Sequence, residues 1–267
     1  MPNLSASIVR PAHVALLAVC LSFAGAQAQA QSLAAGARDY KPFAVEHAGK
    51  ALAGARELQA ALKAGDAKAG QAAWIKSRKG WEAIEPITGE FFGDLDSAID
   101  SWPDARQGYH AVEAPLFAGK LDEVKSPTDK LVADLTAFEK AVGAPKFKFS
   151  PQGLLNGATK LAYEMGENKS KGGESPYAGT SINDIYENNE GVEAVYKLVF
   201  SPVLKKKDSR LNKEILEKIE ELEDNVKGKD LKNVDAAALK KSGEELAVLL
   251  QEAAPKLGLK KPKVGED

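Results

Sequence analysis

In the stretch QGYHAVEAPLF, residues 107–117, a histidine stands three residues before a glutamate inside an apolar helical pattern. On a helix, positions three apart share a face, so His110 and Glu113 point the same way and can address one cation together. Two donors do not complete a site, and helical bundles complete such sites with carboxylates from facing helices. Acids suited to that lie just upstream in WEAIEPITGEFFGDLDSAID, where Glu82 and Glu85 are three apart and Asp96 and Asp100 four apart. They stand amid Trp81, Ile84, Phe91, Phe92, Leu95 and Ile99. A carboxylate beside so apolar a face is costly to bury unless a cation or hydrogen bonds compensate it. These residues therefore point to metal binding by imidazole and carboxylate. The plainer reading, surface acids with an aspartate capping a helix end, stays open at this level.

Other chemistries have less to work with. The chain holds three histidines and one cysteine, Cys20. The zinc-protease pattern H-E-x-x-H is absent, as is G-x-S-x-G, so hydrolytic enzymes of those kinds are not expected. His47, in AVEHAGKAL, has only Phe43 and Lys50 on its own face and reads as structural.

The elements that must position these residues are helical throughout. Residues 39–64, 67–98, 104–118, 126–142, 151–168, 180–200, 209–227 and 235–253 carry apolar side chains at spacings of three and four, most clearly Leu211, Ile215, Ile219, Leu222 and Val226. Alternating β-branched runs bounded by hairpin turns are missing. Ser-Pro at 126–127 and 150–151 suggests helix starts, Pro202 should end the 180–200 helix, and KGGESPYAG reads as a loop. The expected fold is all-α, a bundle of seven or eight helices in one domain over residues 31–267.

Residues 1–30 are read as a cleaved secretory signal peptide. Arg10 precedes an apolar run, and Ala26-Gln27-Ala28 and Ala28-Gln29-Ala30 both offer A-x-A cleavage sites. The run from Val14 to Ala26 is short for a bilayer, so no stable span is expected after cleavage. Cleavage also removes Cys20 and His13, which excludes disulfides and thiolate chemistry from the mature protein. A formal net charge of −2 gives no electrostatic case for nucleic acid.

GYHAVEAPLF resembles the G-[FY]-H-x-[LIV]-E-x-x-L-[FW] signature of the EfeO-like, imelysin-like family of secreted bacterial proteins. WEAIEPITGEFFGDLDSAID is similar to that family's YE-x-IEP…F-x-DLD-x-x-ID segment. LLNGATKLAYE and GGESPYAGTSINDIYENNEGVEAVYKLV match its L-x-N-G-A…E, GEE-x-x-Y and L-x-D-x-x-x-N-x-x-G patterns. These four blocks occur in order over residues 74–200.

The resemblance implies a periplasmic protein of two four-helix bundles in tandem that binds metal for iron uptake, beside a membrane permease and a haem peroxidase. It implies His110, Glu113, Glu82, Glu85, one or both of Asp96 and Asp100, and Glu174 as ligands, with the metal between the two halves. Some members carry an N-terminal cupredoxin domain, for which this chain has no room before residue 39, so the short single-domain type is expected. Ser175 stands where a second acid is usual, and Pro115 should bend the helix just past Glu113. Imidazole with carboxylates suits iron, zinc, manganese or copper, and iron is favoured by the resemblance alone. The expected role is capture of the cation and transfer to the permease, not catalysis. The alternatives are a zinc-dependent peptidase, since the family is also described as metallopeptidases, and a binder of acidic polysaccharide. The latter draws on the lysine runs LKKKDSR and LGLKKPK.

Overall fold

The apolar stripe Leu211, Ile215, Ile219, Leu222 and Val226 is buried along its whole length, as its helical spacing requires. The computed structural model describes residues 11–101, 106–167, 169 and 173–265, with side chains from residue 25 onward. Residues 1–10 of the expected signal peptide, and 104–105 and 168 at the ends of two expected helices, lie outside the described residues. So do the side chains of Cys20 and His13.

Helices run in the order α1 Pro11–Ala64, α2 Ala67–Glu82, α3 Glu85–Ile99, α4 Gly108–Phe117, α5 Leu121–Gly143, α6 Pro151–Glu167 and α7 Ser181–Val195. A π turn at Tyr196–Phe200 then leads to α8 Ser201–Lys207, α9 Ser209–Val226 and α10 Ala236–Lys256. No strand occurs among the described residues. Asp66, Asp208 and Asp235 cap α2, α9 and α10 by accepting backbone N–H groups.

Packing falls into two sets. In one, α1 lies along α2 and α5, with α4 on α5; in the other, α6 lies along α10, with α9 against α10 and α7. They join where α3 crosses α6 and α2 meets α7. On α1 the buried stripe begins at Leu33 and continues through Ala37 and Tyr40, whereas residues 25–28 and 30–32 are exposed. Cleavage after Ala28 or Ala30 would therefore remove none of the described core. Among the described residues, no helix is long and apolar enough to cross a membrane.

The first helix begins at Pro11 rather than at 39, and three boundaries within the bundle are also corrected. Residues 67–98 form two helices, because Pro86 has no N–H for the Glu82 carbonyl and its ring would crowd that oxygen. The chain turns at Ile84 (φ −110°, ψ 5°), and the amide of Asn188 donates to the freed Glu82 carbonyl at 3.0 Å. α5 begins at Leu121 rather than at 126, with Pro127 inside it. The Glu123 carbonyl, which Pro127 leaves without a donor, belongs to an exposed residue and can face water. The helix expected to stop before Pro202 continues through it: the Ser201 N–H bonds the Tyr196 carbonyl five residues back, and this shift lets the chain pass the proline. Pro115 lies within α4, two residues after Glu113.

Gly108 opens α4 with φ +68°, and a Cβ there would strike the Ile99 carbonyl, so the GYH motif needs glycine for both reasons. This tight approach brings the end of α3, with Asp100, against the start of α4, with His110.

Candidate metal centre

At the junction of the two helix sets lies a buried ionic cluster organised around Arg78. Trp74, Arg78 and Trp81 follow the inward face of α2, and all three are fully buried. The guanidinium contacts Glu82 at 2.6 Å, Glu174 at 2.9 Å and Asp100, with Asp184 at 4.0 Å. Its carbon lies 5.3 Å from the Tyr109 ring centroid. Burial alone would lower the Arg78 pKa, but Asp100, Glu82, Asp184 and Glu174 together hold it well above its ordinary range.

A second cation, Lys169, enters from the connection after α6. Its Nζ donates to Glu85 at 2.5 Å and Glu82 at 3.2 Å, and stands 3.6 Å from Glu174. The side chain is 5% exposed, and the acids around it keep the ammonium charged against the cost of burial. Asn188 completes this corner with amide donation to the Glu82 and Glu85 carboxylates at 2.7 and 2.6 Å.

Asp100 sits between Arg78, the Trp81 indole N–H at 2.8 Å and His110 Nε2 at 3.0 Å. Burial would raise its pKa, yet Arg78 and His110 hold it well below the usual carboxylate range. His110 faces Asp100 through one nitrogen and Glu113, at 3.9 Å, through the other. Burial works against its charge, but these two acids push its pKa up to about 9. Glu113 accepts the backbone N–H groups of Tyr177 and Ala178, both at 2.9 Å, and so fastens the 173–180 loop to α4.

Burial separates the remaining acids. Glu82 is fully buried, and Arg78 and Lys169 overcome the desolvation to hold it below its ordinary value. Glu85 is pushed well above the ordinary range by burial despite Lys169. Asp184 is raised to about 8, by burial first and then by the charge of Glu82. Ser175, in place of a second acid, donates its hydroxyl to Asp184 and its N–H to Ser181 Oγ.

Two triples of donors converge closely enough to hold a cation: Asp100, His110 and Glu174, and separately Glu82, Glu85 and Glu174. Within each, the donor atoms lie within 4.8 Å of one another. Glu174 belongs to both. Of the residues that the sequence nominated, the structure brings His110, Glu113, Glu82, Glu85, Asp100 and Glu174 together. Asp96 stands apart, in an open cleft of about 310 Å³ between α3 and α6 lined also by Glu85, Glu90 and Glu164, where burial raises its pKa to about 6. His47 stacks on Phe43 at 4.3 Å, away from the cluster.

Sequence reasoning missed Arg78, Lys169, Asp184 and Asn188 as site residues. Arg78 had a signal: it lies four residues before Glu82 and on the face of Trp74 and Trp81, where a charge must have partners. Asp184 and Asn188 are the D and N of the D-x-x-x-N-x-x-G pattern, one turn apart on α7. The G is Gly191, where a Cβ would strike the Ala83 carbonyl. The pattern thus packs α7 against the break between α2 and α3. Lys169 had no signal in its local sequence.

The family model for imelysin, peptidase family M75, matches residues 36–257. The chain belongs to the imelysin family. Among imelysin-related proteins, the iron uptake system component EfeM of Pseudomonas syringae pv. syringae is 28% identical over 187 residues, 66% of this chain and 64% of that protein. The iron uptake system component EfeO of Escherichia coli K12 is 28% identical over 191 residues, 68% of this chain and 49% of that protein. The match thus spans under two thirds of the EfeM length and about half of the EfeO length. In fold, the chain resembles an iron-regulated protein A precursor of Parabacteroides distasonis, with a TM-score of 0.67 over 86% of this chain and 95% of that one at 15% identity.

Proposed function

We propose that this imelysin-family chain is a periplasmic metal-binding protein of an iron-uptake system, and that iron is its cargo rather than a resident cofactor. The observation that carries this reading is the convergence of two donor triples on Glu174, with His110 supplying the imidazole. The names of EfeM and EfeO point the same way. Imidazole with hard carboxylate oxygens suits ferrous or ferric iron, while zinc and copper are the competing cations. The A-x-A sites before residue 31, and a core that begins at Leu33, agree with export and cleavage, with residues 31–267 as the working unit.

Capture followed by transfer to a membrane permease, with a haem peroxidase in the same system, fits these donors better than hydrolysis does. The described cluster holds one imidazole, its other donors being acids with internal counter-charges, and such a set can release its cation on protonation. Calorimetric titration of the chelator-stripped mature protein with ferrous, zinc and cupric salts tests the reading, alongside His110→Ala and Glu82→Ala. Weakened binding in both variants is the expected result, because the triple that holds His110 and the one that holds Glu82 share Glu174. Full-strength binding by either variant removes that residue from the site, and no binding by the wild type overturns the proposal.

A further inference from the structure

Both donor triples face a cation that belongs to the chain: Arg78 contacts Asp100 and Glu174 of one, and Lys169 stands among all three acids of the other. Glu82, Glu85 and Glu174 are the carboxylates within 4.8 Å of one another, and they are also the three that surround Lys169 Nζ, at 3.2, 2.5 and 3.6 Å. A transition-metal ion bonded to these oxygens needs about 2.0–2.2 Å to each, so it takes the place of the ammonium and cannot share it. We infer that Lys169 is a tethered cation that fills the Glu82–Glu85–Glu174 cradle in the metal-free protein and leaves it when cargo enters. This inference rests on the metal-binding reading above and assigns the cradle's regulation to one side chain.

The two internal cations are not equivalent. Arg78 is fully buried within α2, is stacked near Tyr109 and bridges several acids at once, so its position is set by the packing of a long helix. Lys169 reaches the cradle on a flexible four-carbon stem from the connection between α6 and α7, outside either helix. Its charge is also felt by Asp96 and Glu164, which line the open cleft that shares Glu85 with the cradle. A displaced ammonium therefore has acidic groups to move toward, and an exchange of one cation for another avoids leaving buried carboxylates bare. The apparent affinity for cargo is lowered by the work of displacing the lysine, which makes release easier.

The test follows acetylation of Lys169 in the full mature protein by an amine-reactive acetyl ester, read by peptide mass spectrometry, without metal and with saturating zinc(II) or ferrous iron. Titrations of Lys169→Met and Lys169→Arg run in parallel. The expected result is a protected Lys169 in the metal-free protein and several-fold greater acetylation with metal. Lys169→Met should bind about tenfold or more tightly than the wild type, because a nearby like charge is gone, and Lys169→Arg should not. If Lys169→Met is less stable, added metal should restore its melting temperature, because the ion replaces the missing charge. Metal binding with no change in Lys169 acetylation overturns this inference and leaves the metal-binding reading intact. So does a folded Lys169→Met that binds no tighter than the wild type. If neither the wild type nor Lys169→Met binds any cation, the metal-binding reading fails, and the inference fails with it.

Discussion

Arg78 and Glu82 form an ion pair at 2.6 Å one turn apart on α2, with side chains 1% and 0% exposed. Such a pair is weak evidence of stability by itself, but removing one partner strands the other as a buried charge. Arg78 also faces Asp100, Glu174 and Asp184, so its loss strands several acids at once. Arg78→Met should destabilise the metal-free protein by about 3–5 kcal/mol. Arg78→Lys should fall in between, since one ammonium cannot span acids arranged around a planar guanidinium. Urea unfolding of the three proteins checks this, and an unchanged midpoint for Arg78→Met would contradict the account.

Asn188 links the α2–α3 break to the acids, donating to the Glu82 carbonyl and to the Glu82 and Glu85 carboxylates. Asn188→Leu leaves a buried carbonyl without a donor, at a cost of about 1–3 kcal/mol. Asn188→Asp should cost more, because it adds a negative charge facing two carboxylates. Thermal unfolding at neutral pH ranks the two, and equal melting temperatures would show that the local charge has been misjudged.

The helical periods exposed most of the fold in the sequence, because each amphipathic segment buries one stripe and its period survives in the residue order. They could not show the break at Ile84, which depends on a donor from residue 188 to satisfy the carbonyl that Pro86 frees. Nor did they show that Pro202 is passed by a five-residue backbone bond. Within the site, His110 and Glu113 were legible because helical spacing puts both on one face. Lys169 was not, because the acids around it come from α2, α3 and the loop before α7. Asp96 and Asp100 look equivalent in the sequence, and they are separated only by the turn at the end of α3, which puts Asp100 beside His110 and leaves Asp96 in the cleft.

Gly191 offers a test in which two effects oppose each other. In a free helix, Gly→Ala gains up to about 1 kcal/mol of helix propensity. At Gly191 the added Cβ would strike the Ala83 carbonyl, which is backbone and cannot swing aside. Overpacking typically costs about 1–3 kcal/mol, so the clash should win and Gly191→Ala should melt lower than the wild type. It should also weaken cation binding, by moving Asn188 and α7 away from Glu82. A stabilised variant with unchanged binding would show that α7 can shift without disturbing the cluster.

Several buried groups in and beside the cluster are raised, Glu85 and Asp96 among them, and His110 and Asp184 make the sign of the pH dependence of the metal-free protein plain. His110 is shifted from 6.5 to about 9 by Asp100 and Glu113 against the cost of burial, so it is charged in the fold at pH values where the unfolded chain has lost its proton. Its contribution is complete below 6.5 and disappears as the pH climbs through about 9. Asp184, raised from 3.8 to about 8 by burial and by Glu82, stays protonated in the fold while the unfolded chain ionises, so stability again falls with rising pH across that interval. Asp100 and Glu82 are shifted downward, so their contributions are lost only in acid and do not oppose this trend. The unfolding free energy should therefore fall from pH 6.5 to 9, by no more than about 1.4 kcal/mol per pH unit for each group, and the melting temperature should fall with it. Above pH 8, where Asp184 is more than half ionised and its share of the slope is fading, His110→Gln should reduce the remaining slope. A melting temperature that rises between pH 6.5 and 9 would mean that neither group holds its proton in the folded cluster.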